Sequence, residues 1–259
     1  MPLKRVVTFL TICLAISLAA CQPVQVVVPT ATLPPTPSPT ATATPVWFPP
    51  TPTLTLTVTP LPATATPQPP ADTGAVLLSD DFSAKKFWQT GVMDGGNVAY
   101  GKNELSLAVA RPKGSLVSLR DQTNLGDFYL EITAAPSLCE DSDTYGLLFR
   151  VVSASEFYRF LVSCSGQLRL ERLGNGQGTL LQDWMFSPQI VPGMPGAYRL
   201  GIWASGSELR FYVNNVLQFS RQDSALVSGT IGVFARSAGD NAVTVSFSDL
   251  IVRQASPSK

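Results

Sequence analysis

The stretch that decides the fold reads YGLLFRVV at residues 145–152, FYRFLVSC at residues 157–164 and QLRLERL at residues 167–173. Each run is about seven residues long and rich in aromatic and aliphatic side chains, and serine or glycine separates it from the next. Apolar runs joined by such short breaks are typical of strands in an antiparallel meander. We therefore predict three consecutive antiparallel strands at the centre of a β-sheet domain.

The alternation of side chains within these strands predicts which face is buried. One arginine interrupts the apolar pattern of each strand, at Arg150, Arg159 and Arg169. Because successive side chains of a strand point to opposite faces, the apolar rows, with Phe149 and Val151 in the first strand, should face the core. The three arginines should then lie together on the outward face of one sheet.

The composition excludes several classes of protein. The chain has 18 basic and 18 acidic residues, so it lacks the basic surplus of a general nucleic-acid binder. It has no histidine, which excludes Ser-His-Asp and Cys-His catalysis and histidine-ligated zinc. Carboxylates remain as the candidate general acids and bases.

The N-terminus has the layout of an export signal. Lys4 and Arg5 precede an apolar segment at residues 6–20, and the segment ends in LAAC at residues 18–21. This ending resembles the lipobox of bacterial lipoproteins. The resemblance implies that residues 1–20 are removed, that Cys21 is diacylated, and that the exported protein is anchored to the extracytoplasmic surface of a membrane. The alternatives are an ordinary signal peptide with a chance cysteine and a retained apolar helix.

A linker is predicted at residues 21–73. No charged residue occurs between Gln22 and Ala71, and proline and threonine dominate this part of the chain. Because proline has a fixed φ and no amide proton, the tract cannot form a packed helix or a central strand. We expect an extended, disordered spacer that leads to a globular domain at residues 74–254, followed by a loose tail at residues 255–259.

The globular part has the spacing of an all-β protein. About a dozen short apolar runs recur roughly every ten residues, and no long window has a helical period. Asn214 and Asn215 can supply the positive φ angles of a tight turn between two of these runs. This pattern predicts a β-sandwich.

Several short motifs occur in a distinctive order: DFS at 81–83, DF at 127–128, GLLFR at 146–150, FYRF at 157–160 and VSF at 245–247. In this order they resemble the concanavalin A-like lectin/glucanase superfamily, and within it the laminin G-like and 3-keto-disaccharide hydrolase-type branch. The resemblance covers about residues 75–253 and implies a two-sheet antiparallel jelly-roll sandwich. Members of the superfamily include carbohydrate binders, glycoside hydrolases and protein-binding modules, so the fold does not imply one activity.

Seven residues are candidate ligand contacts, because arginine forks, carboxylates and aromatic rings suit sugar hydroxyls or acidic sugars. We expect the charged members to share the outward face of one sheet. The commoner arrangement of such residues, and the alternative here, is a solvated ladder of Arg–Glu pairs worth roughly a few tenths of a kcal/mol each. Trp203 and Tyr212, outward in a later hairpin, are a second aromatic candidate. The seven are Tyr129, Glu131, Arg150, Arg159, Arg169, Glu171 and Trp184.

Catalysis would require a pair of carboxylates. The glucanase branch of the superfamily has a Glu-x-Asp-x-(x)-Glu strand, and retaining hydrolysis needs two carboxyl groups about 5 to 5.5 Å apart. No strand of this sequence has that pattern, so Glu131 and Glu171 could pair only across strands. We assign no catalytic residue.

Three aspartates are candidate ligands of a structural calcium ion. Asp80, Asp81 and Asp249 lie near the two ends of the domain, which commonly pair as neighbouring strands. They supply few of the six to eight oxygen ligands that calcium takes, and solvated edge charges are the alternative. No other cofactor is predicted.

A disulfide is predicted between Cys139 and Cys164. Cys13 leaves with the signal peptide and Cys21 takes the lipid, so two cysteines remain in an exported domain. We expect them at the same edge of one meander, two strand spacings or about 9.6 Å apart, with the loop at 136–143 closing the gap. Two separate thiols are the alternative.

The sequence thus predicts a lipid-anchored surface protein whose jelly-roll domain binds a carbohydrate or another component of the cell envelope without catalysis. The alternatives are a glycoside hydrolase-like enzyme of the 3-keto-disaccharide hydrolase or glucanase type, and a structural or scaffolding module with no small ligand. An enzyme should have paired carboxylates in a cleft. A sugar binder should have aromatic side chains on an exposed sheet face.

Overall fold

Two antiparallel β-sheets pack face to face in the folded part of the chain. The computed structural model describes residues 72–193 and 196–255, in which fifteen strands and no helix occur. Within these residues no helix is long and apolar enough to cross a membrane. The larger sheet consists of β1 (Thr73–Asp80), β2 (Gly91–Met93), β3 (Gly96–Tyr100), β4 (Leu105–Val109), β6 (Phe128–Leu138), β11 (Tyr198–Ser205), β12 (Glu208–Val213), β13 (Val216–Gln222) and β15 (Val243–Ala255).

The strand order shows how distant parts of the chain meet. The nine-stranded sheet runs β13-β12-β11-β6-β15-β4-β3-β2, and β1 pairs with the last part of β15. The six-stranded sheet has the order β10-β9-β8-β7-β14-β5. Its strands are β5 (Ser115–Leu119), β7 (Thr144–Ser153), β8 (Glu156–Ser163), β9 (Gln167–Gly174), β10 (Gln177–Phe186) and β14 (Thr230–Arg236).

The predicted meander is present in the six-stranded sheet. β7, β8 and β9 are consecutive antiparallel neighbours, with Tyr145 opposite Val162 and Leu161 opposite Arg169. The tight turn predicted at Asn214 and Asn215 joins β12 to β13, and both residues have positive φ, at 50° and 64°. The prediction of an all-β, two-sheet antiparallel jelly-roll sandwich is confirmed.

The core lies between the two sheets and is rich in aromatic rings. Phe149 stacks on Tyr158 of the neighbouring strand, with ring centroids 4.9 Å apart. Phe160 lies 4.9 Å from Phe211 of the opposite sheet, which stacks in turn on Phe219. These contacts join the inner face of the meander to the inner face of the β11–β13 part of the other sheet, as the alternation in the sequence predicts for β8 and β9.

A β-bulge in β7 overturns the prediction for Arg150. The pairing with β14 shifts between Leu148 and Val151, and Arg150 has a φ of 46°. A bulge inserts one extra residue and breaks the alternation of side chains. Val151, predicted for the core side, therefore joins the outer apolar cluster of this sheet, and Arg150 is fully buried instead of outward.

The buried Arg150 side chain joins loops at one end of the sandwich. Its guanidinium donates to the carbonyl oxygens of Gly126 (3.1 Å), Gly206 (2.9 Å) and Leu226 (3.0 Å). Burial lowers the pKa of Arg150, and Asp127, with its carboxylate 3.6 Å from the guanidinium, partly opposes this shift. Arg150 is thus a structural residue and not a surface contact, since no part of it is exposed.

The predicted disulfide between Cys139 and Cys164 is confirmed, with a Cα–Cα distance of 5.7 Å. The route predicted for it is wrong, because the strand before Cys139 is not part of the meander. β6 lies in the nine-stranded sheet, and β8 lies in the six-stranded sheet. The bridge therefore ties the crossover that follows β6 to the end of β8, and so connects the two sheets.

Several predictions fall outside the described residues. The export signal at 1–20, the lipid-anchor cysteine Cys21, residues 22–71 of the linker predicted at 21–73 and residues 256–259 of the tail predicted at 255–259 are among them. Thr73, predicted as the end of the linker, begins β1, and Ala255, predicted as the start of the loose tail, ends β15. The described chain begins at Asp72, directly before β1.

Candidate functional site

The outward side of the six-stranded sheet contains a cavity of about 250 Å³. We call this side the open face. Its cavity lies over β5, β14, β7 and β8, where Val117 is opposite Phe234, and Leu148 is opposite Arg159. The residues that line the cavity are Lys113, Ser115, Val117, Leu148, Phe157, Arg159, Phe234 and Arg236.

The floor of this cavity is apolar. Leu148 and Phe234 are each 3% exposed and belong to one cluster with Val151 and Leu161, and Phe157 packs against that cluster. Val117 at the edge is 39% exposed. An apolar floor with polar groups around it is the usual composition of a small-ligand site.

Beside the cavity, one carboxylate holds two arginines. Glu171 forms ion pairs with Arg159 and Arg169, the latter at 2.8 Å. The guanidinium of Arg159 also lies 5.7 Å from the ring of Phe234, and that of Arg169 lies 5.5 Å from the ring of Trp184. These contacts form a continuous row of aromatic and guanidinium groups across the open face.

The rim of the cavity has two further cations. Lys113 and Arg236 are exposed, and no described carboxylate lies within ion-pair distance of either side chain. Counting Lys113, Arg159, Arg169 and Arg236 against Glu171, these five residues give the open face an excess of three positive charges.

The outward side of the nine-stranded sheet is different, and we call it the covered face. Tyr129, Trp203 and Tyr212 form a buried cluster there, with Tyr129 edge-on to Tyr212 at 6.0 Å. Gly201 lies between these side chains, and a Cβ atom at this position would come within 3.1 Å of both tyrosines. Because position 201 has no side chain, there is room for the ring of Tyr129.

On the covered face the carboxylate of Glu131 is paired at both oxygens, whereas Arg253, opposite Tyr129 in the sheet, has a buried Nε atom without a hydrogen-bond partner among the described residues. The hydroxyl of Tyr129 donates to Glu131 Oε2 at 3.1 Å, and Arg199 lies 3.5 Å from the other oxygen of Glu131. Burial, together with the charge of Glu131, raises the pKa of Tyr129 well above its usual value. Glu131 is buried, and its two carboxylate oxygens contact Tyr129 and Arg199, so it is not available to a ligand.

The first described residue closes this face. Trp203 Nε1 donates to the backbone oxygen of Asp72 at 3.2 Å, and the guanidinium of Arg210 lies 4.2 Å from the Trp203 ring. Arg210 contacts Glu208 at 2.7 Å and the carboxylate of Asp72 at 3.0 Å. The hydrogen bond to Glu208, followed by the one to Asp72, keeps the pKa of Arg210 above its usual value despite partial burial.

The structure separates the seven candidate ligand contacts into three groups. Four lie together on the open face, as predicted: Arg159, Arg169, Glu171 and Trp184.

The other three were wrongly placed on that face. Tyr129 and Glu131 lie on the covered face, because β6 belongs to the other sheet, and Arg150 is buried at the bulge. A catalytic pair of Glu131 and Glu171 is therefore excluded, since the two carboxylates lie on opposite sides of the sandwich. The aromatic candidates Trp203 and Tyr212 are in the buried cluster with Tyr129 and offer no free surface.

The floor of the cavity was not among the sites predicted from the sequence. Two uninterrupted apolar runs could have predicted it, GLLF at 146–149 and IGVFA at 231–235. A strand that is apolar at successive positions has apolar side chains on both faces. Leu148 and Phe234 are outward members of these runs. They become diagonal neighbours only through the pairing of β7 with β14, in which Leu148 is opposite Gly232 and Phe234 is opposite Gly146.

The predicted calcium ligands do not form a metal site in the structure. Asp80 accepts a hydrogen bond from Trp88 Nε1 at 3.1 Å and lies 3.6 Å from Arg120. Asp81 accepts hydrogen bonds from the backbone and the hydroxyl of Ser83, which lower its pKa, and Ser248 donates to Asp249. In residues 72–193 and 196–255, no group of three or more His, Cys, Asp or Glu side chains is placed to hold a metal ion.

A smaller cavity of about 90 Å³ lies beside the disulfide. Cys139, Cys164, Tyr145, Ile190 and Tyr198 are among its lining residues, and no charged side chain lines it. It has neither the charge nor the size of the cavity on the open face.

Comparisons with known proteins support the fold. No protein-family model matches the chain, and no curated protein matches it. Among solved structures, it is similar to a Bacillus subtilis protein of unknown function with a galectin-like fold (TM-score 0.53, 16% identity, covering 72% of this chain and 99% of that chain).

Two glycoside hydrolases are also similar. The laminarinase from Flavobacterium sp. UMI-01 has a TM-score of 0.52 and 13% identity, and the match covers 70% of this chain and 100% of that chain. The β-glucanase of Bacillus licheniformis has a TM-score of 0.50 and 12% identity, covering 70% and 99%. At these identities the similarity shows a lectin/glucanase-type jelly-roll fold and leaves the activity to the residues of the site.

Proposed function

We propose that this protein is a carbohydrate-binding module that uses the open face to hold its ligand and does not hydrolyse it. The observation that carries the proposal is an apolar floor in which the partly exposed Phe157 packs against the buried Leu148 and Phe234, with arginines beside it. The C–H side of a sugar ring would pack on the floor, and the forked donors of Arg159 and Arg169 would bind its oxygens. The solved structures with the same fold include sugar-hydrolysing enzymes, which makes carbohydrate the first ligand class to test.

The carboxylates of the open face support binding over hydrolysis. The outward positions of β8 are Phe157, Arg159 and Leu161, so this strand brings no acid to the cavity. Each carboxylate oxygen of Glu171 forms an ion pair with an arginine, so neither oxygen is free to contact a substrate. Retaining hydrolysis needs a second carboxyl group about 5 to 5.5 Å away, and none lines the cavity.

The N-terminal sequence is the basis for a proposed cellular location. We propose that Cys21 carries a diacylglyceryl anchor and that the module acts outside the membrane, at the end of the Pro/Thr-rich linker. An acyl mass on the peptide that begins with Cys21 is the test, and an unmodified cysteine at the mature N-terminus would exclude the anchor.

The function itself is tested with a glycan array. The full-length chain, kept soluble in detergent, should bind at least one glycan and release no reducing sugar from it. Phe157→Ala should weaken that binding at least tenfold, because the ring forms part of the floor. Phe87→Ala is the matched control, since Phe87 is 41% exposed, lies in the loop between β1 and β2 and does not line the cavity.

The competing functions predict other results. A glycoside hydrolase would release sugar from a bound substrate, and this release would be lost in Glu171→Gln. A scaffolding module would bind no glycan. Equal binding by the wild type and Phe157→Ala would place the ligand elsewhere on the molecule.

A further inference from the structure

We propose that the ligand of the open face is a negatively charged glycan, one with carboxylate or sulfate groups, and that Lys113 and Arg236 bind its charge. This inference rests on the proposed carbohydrate-binding function and names the class of ligand. It is carried by the two exposed cations at the rim of the cavity and by the apolar floor between them and Arg159.

The two cations are held on neighbouring segments. The backbone N–H of Lys113 donates to the oxygen of Gly239 at 2.9 Å, and that of Ser237 donates to the oxygen of Gly114 at 3.0 Å. These bonds join the turn before β5 to the segment after β14. Arg236 is opposite Ser115 in the sheet, so Arg236 at the end of β14 and Lys113 in the turn before β5 reach the same cavity.

Two of the three cations that line the cavity, Lys113 and Arg236, form no ion pair with a described carboxylate. Arg199 and Arg210 on the covered face each have a carboxylate within 3.5 Å, and Arg159 and Arg169 share Glu171. Lys113 and Arg236 have no such partner among the described residues. Unpaired cations next to an apolar surface favour a ligand that supplies the missing negative charge, and an arginine fork binds carboxylate and sulfate-like oxygens in a bidentate way.

The shape of the site favours a glycan over other anions. Phe157 and Val117 are partly exposed beside the cations, so the ligand needs an apolar side as well as a charge. An acidic sugar has both, because the C–H groups of its ring and its carboxylate or sulfate lie on one small unit. A nucleic acid is disfavoured, since the chain has no net positive charge.

The test uses the full-length chain in detergent and three glycan probes of known charge. Polygalacturonate supplies carboxylates, dextran sulfate supplies sulfates, and dextran is neutral. We expect binding to one of the charged probes in biolayer interferometry, weakening as salt rises from about 0.05 to 0.5 M because the charges are exposed. The double variant Lys113→Gln with Arg236→Gln should lose at least tenfold in affinity.

A matched variant controls for the overall change of charge. Lys85→Gln with Lys102→Gln removes the same two charges from exposed lysines that line a different depression and not the cavity. This control should bind the charged probe as the wild type does. Thermal unfolding of both double variants should match the wild type, since all four side chains are exposed.

Each other outcome overturns the inference. Binding of dextran or other neutral glycans only would overturn it and leave the proposed function in place, and binding of no glycan at all would overturn both. Equal binding of polyglutamate, with the same loss in the Lys113 and Arg236 double variant, would indicate a general anion site instead of a glycan site. Unchanged binding of the charged probe by that double variant would place the anion elsewhere.

Discussion

The two outer faces of the sandwich have similar residues and different surroundings. Each has aromatic rings, arginines and glutamate on alternate strand positions. On the covered face, Trp203 is 1% exposed, and the polar groups of Glu131 and Arg210 have partners. On the open face a cavity remains, and Lys113 and Arg236 at its rim form no ion pair with any carboxylate that the structure describes. The same residue types therefore form a second small core on one face and a candidate binding surface on the other.

The two outer faces differ because segments near the ends of the described chain cover one of them and not the other. Asp72, directly before β1, contacts Trp203 and Arg210, and Ala255 at the end of β15 joins the aromatic cluster. The two ends of the described chain thus meet on the covered face. No equivalent segment among the described residues closes the cavity of the open face. Three substitutions test this contrast, and we take them in order of expected effect.

Trp203→Ala should have the largest effect. It removes a fully packed ring from the covered face and should lower the free energy of unfolding by about 3–5 kcal/mol. Val117→Ala on the open face should cost less than about 1 kcal/mol, because that side chain is partly exposed. Urea unfolding of both variants is the measurement. A Trp203→Ala protein as stable as the wild type would contradict the description of this face as a second core.

Arg150→Met should have the next largest effect. The arginine is fully buried, and its loss leaves the carbonyl oxygens of three loops without a donor, which should cost about 3 kcal/mol. Arg159→Met is the matched control on the open face, where the side chain is 26% exposed and should contribute less than about 1 kcal/mol. Denaturant midpoints distinguish the two arginines. If Arg150→Met unfolds like the wild type and loses glycan binding, Arg150 is a ligand contact after all.

Asp72→Asn should have the smallest effect. The substitution keeps the backbone bond to Trp203 and weakens only the ion pair with Arg210, in which the aspartate is 40% exposed. We expect a loss of roughly 0.5 kcal/mol at low salt that disappears at about 1 M NaCl. Asp94→Asn is the control, because Asp94 and Arg111 form a largely exposed pair that should contribute almost nothing. A loss above about 2 kcal/mol for Asp72→Asn would mean that the pair is essential to the closure of the covered face.

Much of the fold could be predicted because alternation along a strand is a local property. The runs around Phe149, Tyr158 and Leu168 predicted strands, their order in the meander and most of their buried side chains, since a strand of period two needs no information from elsewhere in the chain. The disulfide followed from the number of cysteines in the predicted exported domain.

The tertiary structure alone decided which strands share a sheet and therefore which outward residues meet. Glu131 and Glu171 have the same local pattern, and only the crossover between β6 and β7 places them on opposite sides of the sandwich. The burial of Arg150 depends on a bulge, and the cavity depends on the pairing of β14 with β5 and β7. Sheet pairing joins residues as distant along the chain as Thr73 and Ala255, and no local pattern in the sequence determines such pairs.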